Sequence, residues 1–113
     1  MPPRPGEVYK SATSDHFFIV VSNEEFNRGD RFVAVPVTSQ QYEVRAKLAN
    51  CIAFAPGQFG FTTRCVAQAE GIMQVFSDEI DLQVGIVGRL DEAAMTDLIA
   101  AIGYVISAAC FPT

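Results

Sequence analysis

Histidine occurs once in this chain, at His16, and cysteine three times, at Cys51, Cys65 and Cys110, with no Cys-x-x-Cys pair. A structural zinc site wants about four Cys or His ligands, so neither a metal nor any other cofactor is expected. An odd number of scattered thiols argues against a disulfide framework. Each cysteine has apolar neighbours, which reads as reduced thiols in the core, and a Cys–His nucleophile built on His16 has no spacing signal behind it. Basic residues are also scarce. Eight Lys and Arg stand against thirteen Asp and Glu, for a net charge of −5 and an isoelectric point near 4.6. Such a chain has no overall basic field, so any contact with nucleic acid has to come from a local patch and stay weak and salt-sensitive when non-specific. No apolar run approaches the roughly 20 residues that span a bilayer. The opening Met1-Pro-Pro-Arg-Pro-Gly6 lacks the apolar segment of a signal peptide, so no membrane association is expected and the cytoplasm is the expected compartment.

What is present is enough apolar residue for one core. Half of the 113 residues are hydrophobic, and a chain of this length buries roughly two-thirds of its unfolded surface, so residues 1–113 read as one domain. The stretch from His16 to Gln40 organises it. Phe17 to Val21 and Phe32 to Val37 are rich in β-branched and aromatic residues, of strand length, and bounded by turn chemistry. Their continuous apolar character predicts strands buried on both faces at the centre of a small sheet or barrel. Asn23 to Arg31 connects them, with Gly29-Asp30 at the tip, and Asn23 and Asn27 suit a turn because their amides bond local backbone.

Outside this pair, Pro5 to Lys10 predicts a first strand and Ser11 to Asp15 a short polar loop. Ser39 to Glu43 reads as loop, Val44 to Phe54 as a fourth strand, and Ala55 to Gly60 as a turn. Arg64 to Val75 predicts one long bent strand with Gly71 at the bend. Ser77 to Leu82 predicts a helical turn capped by Ser77, and Val84 to Leu90 a last strand. From Asp91, a good N-cap, a helix follows with Met95, Leu98, Ile99, Ile102, Val105, Ile106 and Ala109 as its apolar stripe. Strands followed by one long helix predict a mainly β fold. It is a small SH3-like barrel or curved antiparallel sheet closed by the terminal helix.

Five segments, in order along nearly the whole chain, resemble the MazF/PemK group of toxin–antitoxin ribonuclease toxins. Pro5-Gly-Glu-Val-Tyr9 resembles the opening Arg-Gly-Glu followed by a β-branched residue and an aromatic. Ile19-Val-Val-Ser-Asn-Glu-Glu-Phe-Asn-Arg28 resembles the Val-Val-Ser-Asn segment of the family. Val33-Ala-Val-Pro-Val-Thr-Ser-Gln40 is similar to its Val-Val-Pro segment ending in threonine. Ala67-Gln-Ala-Glu-Gly-Ile-Met-Gln-Val75 resembles the Asp-Gln-Ile-Arg-Thr strand, and Gly88-Arg-Leu-Asp91 the Gly-Arg-Leu entry to the last helix.

The resemblance implies a homodimer that cuts single-stranded RNA and pairs with a cognate antitoxin. In such cleavage the 2′-hydroxyl attacks the adjacent phosphate, a base takes its proton, and cationic or hydroxyl groups hold the phosphorane. The family threonine is present as Thr38. The arginine that opens the second strand falls on His16, and the arginine and threonine of the fifth strand fall on Met73 and Gln74. A guanidinium offers a permanent charge and a fork that matches phosphate oxygens. Histidine can instead move a proton near neutral pH, whereas methionine offers neither function. Catalysis is therefore expected from His16 with Thr38, and RNA contacts from Ser39, Gln40, Arg45 and Glu70.

Each assignment has a plainer counterpart. His16 also reads as a strand-end histidine, Thr38 and Ser39 as turn residues, and Glu70 as a strand carboxylate paired with a cation. Arg28, Arg31, Arg45, Lys47 and Arg64 form either a basic patch or a solvated surface interspersed with acids. Two other readings of the fold stay open. One is a toxin-like module without catalysis that binds an antitoxin or regulates its operon. The other is a gyrase poison like CcdB, whose ending Trp-Gly-Ile has no counterpart here.

Overall fold

The computed structural model describes residues 2–110, with side chains described as far as residue 106. Ala109 of the expected helix stripe and Cys110, expected as a core thiol, therefore have undescribed side chains. Seven strands, β1 (Glu7–Lys10), β2 (Phe17–Val20), β3 (Arg31–Thr38), β4 (Cys51–Phe54), β5 (Cys65–Gln68), β6 (Met73–Phe76) and β7 (Ile86–Arg89), join in one antiparallel sheet. Its order is β4-β5-β3-β2-β1-β7, and β6 adds to β3. The short helix α1 (Tyr42–Arg45) and the long helix α2 (Glu92–Cys110) complete it. The expected curved sheet closed by a terminal helix is what forms.

β3 holds the sheet together because it is long enough to be shared. β2 pairs along one edge through Phe17↔Val37 to Val20↔Ala34. On the other edge β6 pairs with Arg31 to Ala34 and β5 with Val37 and Thr38. Alternation along the strands sends side chains to two cores. Val8, Ile19, Val35, Val37, Phe54 and Phe61 pack under α2 with Leu98, while Tyr9, Phe18, Val20, Phe32, Ala34 and Val75 fill the other face. The two-sided burial expected of the central strands is therefore correct.

Three local expectations are corrected. Val44 to Phe54 is not one strand: Tyr42–Arg45 is helical and only Cys51–Phe54 joins the sheet. Gln41 enters the left-handed region at φ 54° and turns the chain, leaving Val44 and Leu48 exposed rather than facing a core. The long strand from Arg64 to Val75 is broken into β5 and β6 by a turn of 3-10 helix at Ala69–Gly71. The break lies against Pro36, which has no N–H to give, and a Cβ on Gly71 would stand 2.9 Å from the Pro36 Cγ. Ser77 does not cap the turn Ser77–Glu79; the Glu79 carboxylate accepts from the Phe76 N–H, and the Ser77 hydroxyl donates to the Asp30 carbonyl.

The β2–β3 connection is fastened by Asn27, which is fully buried. Its amide donates to the carbonyls of Pro3 and Ser22 at 2.9 and 2.8 Å, and its Oδ1 accepts from the Ser22 hydroxyl. The Ser22 oxygen in turn accepts from the Val33 N–H. Asn27 thus ties the N-terminal arm to β3, the turn role its sequence position predicts. At α2, Asp91 caps as expected, accepting from the Ala94 N–H at 2.8 Å. The stripe that packs is Met95, Leu98 and Ile102 with Ala94 and Ala101, whereas Ile99 and Ile106 face outward. No helix among the described residues is long and apolar enough to cross a membrane.

Candidate functional site

The β2–β3 register brings Phe17 opposite Val37, so one step outward His16 stands opposite Thr38 on the same face. The loop Ser11–Asp15 closes tightly behind His16. The Ser11 N–H donates to the His16 carbonyl at 2.9 Å, the His16 N–H to Ser14 Oγ at 3.3 Å, and Lys10 Nζ to the Ser11 and Ser14 carbonyls. With the backbone held this way, the half-buried imidazole has no hydrogen-bond partner among the described residues. It is free to meet a ligand.

Across from it, Thr38 is buried, and its Oγ1 accepts from the Gln40 N–H at 3.1 Å. This is the turn geometry expected of threonine at a strand end, and it leaves the hydroxyl hydrogen free to donate. Ser14, Asp15, His16, Thr38, Ser39 and Gln40 line an open cleft of about 360 Å³. A narrower recess of about 40 Å³ runs inward from Thr38 past Thr62, Thr63 and Phe61 to Cys65. Burial pushes the Cys65 thiol up to about 11, so this sulfur is an inert wall rather than a nucleophile. Cys51 is likewise buried and free, its thiol raised by burial and by the charge of Glu70.

The structure therefore gathers His16, Thr38, Ser39 and Gln40 around one cleft, and Arg45 stands beside it with Nη1 donating to the Gln40 carbonyl at 3.2 Å. Glu70 does not line the cleft. Its partners are amides, Asn50 Nδ2 at 2.7 Å and Gln68 Nε2 at 3.4 Å, in place of the cation expected for it. Met73 pairs with Ala34, four residues back along β3 from Thr38 and about 13 Å away at strand rise. Of the two readings of the cations, the solvated surface interspersed with acids is the one found for Arg28, Arg31 and Arg64. Arg28 pairs with Glu25, and Arg31 with Asp30, at the far end of β3. Arg64 pairs with Glu43 at 2.7 Å.

Sequence reasoning missed Asp15, Thr62 and Thr63. The two threonines are adjacent and lead directly into a strand, the only signal they carried. Their approach to Thr38 depends on β5 pairing with β3.

The family model of PemK-like, MazF-like toxins of type II toxin–antitoxin systems matches residues 4–106. No curated protein sequence matches the chain. Among solved structures, an endoribonuclease from a mycobacterial species superposes with a TM-score of 0.74 at 23% identity, covering 100% of this chain and 96% of that one. A MazE–MazF crystal structure from Deinococcus radiodurans gives 0.72 at 14% identity, over 95% and 98% of the two chains. The Mycobacterium tuberculosis toxin MazF-mt6 gives 0.71 at 14% identity, over 92% and 97%. At these identities the structural likeness speaks for the fold, and the family match speaks for descent. The chain belongs to the PemK-like, MazF-like toxins of type II toxin–antitoxin systems.

Proposed function

We propose that this toxin is an endoribonuclease of the cytoplasm that cuts single-stranded RNA, acts as a homodimer, and is held in check by a cognate antitoxin. The observation that carries the reading is the placement of His16 and Thr38 at the ends of neighbouring strands, facing one cleft. His16 takes the proton of the 2′-hydroxyl as that oxygen attacks the adjacent phosphorus. The Thr38 hydroxyl donates to a non-bridging oxygen of the phosphorane, the P–O5′ bond breaks to leave a 2′,3′-cyclic phosphate, and the leaving 5′-oxygen takes its proton from solvent water. Ser39, Gln40 and Arg45 bind the RNA around it, and Glu70 contacts a more distant nucleotide.

The similar structures named endoribonuclease and the MazE–MazF complex support this reading. The test is cleavage of single-stranded RNA by the purified protein beside His16→Ala and Thr38→Ala. Each substitution is expected to lower the rate by about 100-fold or more. RNA of every sequence left intact by the wild type refutes the enzyme, and unimpaired cleavage by His16→Ala refutes the assigned base.

A second reading, a module that binds antitoxin without cutting RNA, is favoured by one feature. The residues lining the cleft include the carboxylate of Asp15 and no guanidinium.

A further inference from the structure

A guanidinium gives a phosphate a permanent charge and a matching fork, and the two positions where the family resemblance places arginine hold His16 and Met73 here. Arg64 is the candidate to replace them. Thr38 pairs with Val66, and Arg64 lies two residues before Val66, at the entry to β5, where continued alternation puts it on the face of Thr38. Diagonal neighbours of this kind lie roughly 7–8 Å apart, within reach of an arginine side chain. Cys65, between them in sequence, points the other way, into the core with Val37. The residues just before Arg64, Thr62 and Thr63, already wall the recess behind Thr38.

The Arg64 guanidinium is held ready rather than consumed. It lies over the Tyr42 ring, 4.6 Å from its centroid, and donates to Glu43 Oε1 at 2.7 Å. Both charged side chains are more than half exposed, at 57% and 73%, and an exposed pair of this kind contributes little to stability. Exchanging the carboxylate for a phosphate therefore costs the fold little, while the ring keeps the guanidinium plane oriented. Tyr42 and Glu43 belong to α1, which begins where a loop was expected and follows the cleft residue Gln40 after one residue, Gln41.

We propose that Arg64 is a further RNA-phosphate ligand of this site, beside Arg45, and that Glu43 is an internal competitor occupying its fork until RNA displaces it. The proposal rests on the RNA-cutting reading and adds a residue to it. A carboxylate that merely braces an arginine and one that competes with substrate predict opposite signs, which makes the pair decidable.

The experiment measures binding of a fluorescein-labelled, random-sequence single-stranded RNA carrying 2′-fluoro groups, which binds without being cut. The full chain is titrated as wild type, Arg64→Gln, Arg64→Lys and Glu43→Gln, across a salt series. Arg64→Gln is expected to weaken binding about fivefold to tenfold and to lower the slope of log K against log salt by about 0.7, one phosphate contact on a single strand. Glu43→Gln is expected to tighten binding about threefold, and Arg64→Lys to fall between wild type and Arg64→Gln. Binding within twofold of wild type for both Arg64→Gln and Glu43→Gln overturns the proposal, as does weakening by Arg64→Gln with an unchanged salt slope. If Arg64→Gln fails to fold, weaker or unchanged binding by Glu43→Gln overturns it alone. A wild type that binds no RNA overturns this proposal and the enzymatic reading together. A wild type that binds and cuts RNA, with Arg64 irrelevant to binding, removes only the former.

Discussion

Arg89 Nη2 donates a hydrogen bond to Glu7 Oε2 at 2.7 Å, joining residues that lie opposite each other in the β1–β7 ladder. Glu7 is buried, and its other oxygen accepts from the Tyr9 hydroxyl and the Arg4 N–H, each at 2.9 Å. Burial pushes the Glu7 carboxyl up, but these hydrogen bonds and the Arg89 charge outweigh it, and the net shift is below the ordinary 4.5. The cluster therefore contributes stability above that ordinary value, and the contribution is lost as pH falls through the lower folded value. Glu7→Ala strips the Tyr9 hydroxyl of its partner and is expected to cost about 2–3 kcal/mol at neutral pH. Glu7→Gln is expected to flatten the acid limb of stability against pH, read as urea midpoints between pH 2 and 6 (about the range over which a carboxylate titrates).

On the alkaline side the sign reverses. Burial, then the hydrogen bond and charge of Glu7, push the Tyr9 phenol up to about 12, and burial alone pushes the Cys65 thiol up to about 11. Both groups fold in their neutral forms. Their contribution is complete below the ordinary values of 10 for Tyr9 and 9 for Cys65 and is lost as pH rises through about 12 and about 11, respectively. Urea midpoints should fall steeply over that window, and Tyr9→Phe should make the fall shallower. Iodoacetamide at about pH 8 should modify Cys65 far more slowly than it modifies a free thiol.

Gly60 and Gly88 permit two stretches of backbone to touch. A Cβ on Gly88 would stand 1.8 Å from the Phe59 carbonyl oxygen, and one on Gly60 2.1 Å from the Val87 oxygen. Neither contact involves a flexible side chain that can swing aside. Gly88→Ala and Gly60→Ala are each expected to cost about 3 kcal/mol or more, measured by thermal or urea unfolding. Gly57→Ala, at φ +91° in open space, is the control: only the left-handed backbone is penalised, by about 1–2 kcal/mol.

Several site residues were legible because they are neighbours in sequence or are placed by simple strand register. His16 ends a polar loop before an apolar strand, and Thr38 ends the next strand, so both lie where strands emerge from the core. The Glu70 environment was not legible, since Asn50 reaches it from the turn before β4, twenty residues away in sequence. The helix at Tyr42–Arg45 was hidden by the apolar residues Val44 and Leu48, which resemble strand content and are in fact exposed. Gly71 was correctly marked as a break in backbone direction. That the break separates two strands using different halves of β3 depends on Pro36, a contact thirty-five residues away in sequence.

By itself the sequence determined what acts over a few residues: the β-branched runs of β2 and β3, the Asp91 cap of α2, the Asn27 turn and the scarcity of metal ligands. These follow from backbone preference, side-chain periodicity and composition. Only the tertiary structure decided which strand ends converge, because register across β2, β3 and β5 sets Asp15, Thr38 and Thr63 around one recess from three distant parts of the chain. It also decided which charges remain available. Arg28 and Arg31 sit at one end of β3 with their own carboxylates, while Arg64 lies at the entry to β5, over Tyr42 and against Glu43. Charge is counted in a sequence, but a cation acts only at the place where the fold puts it.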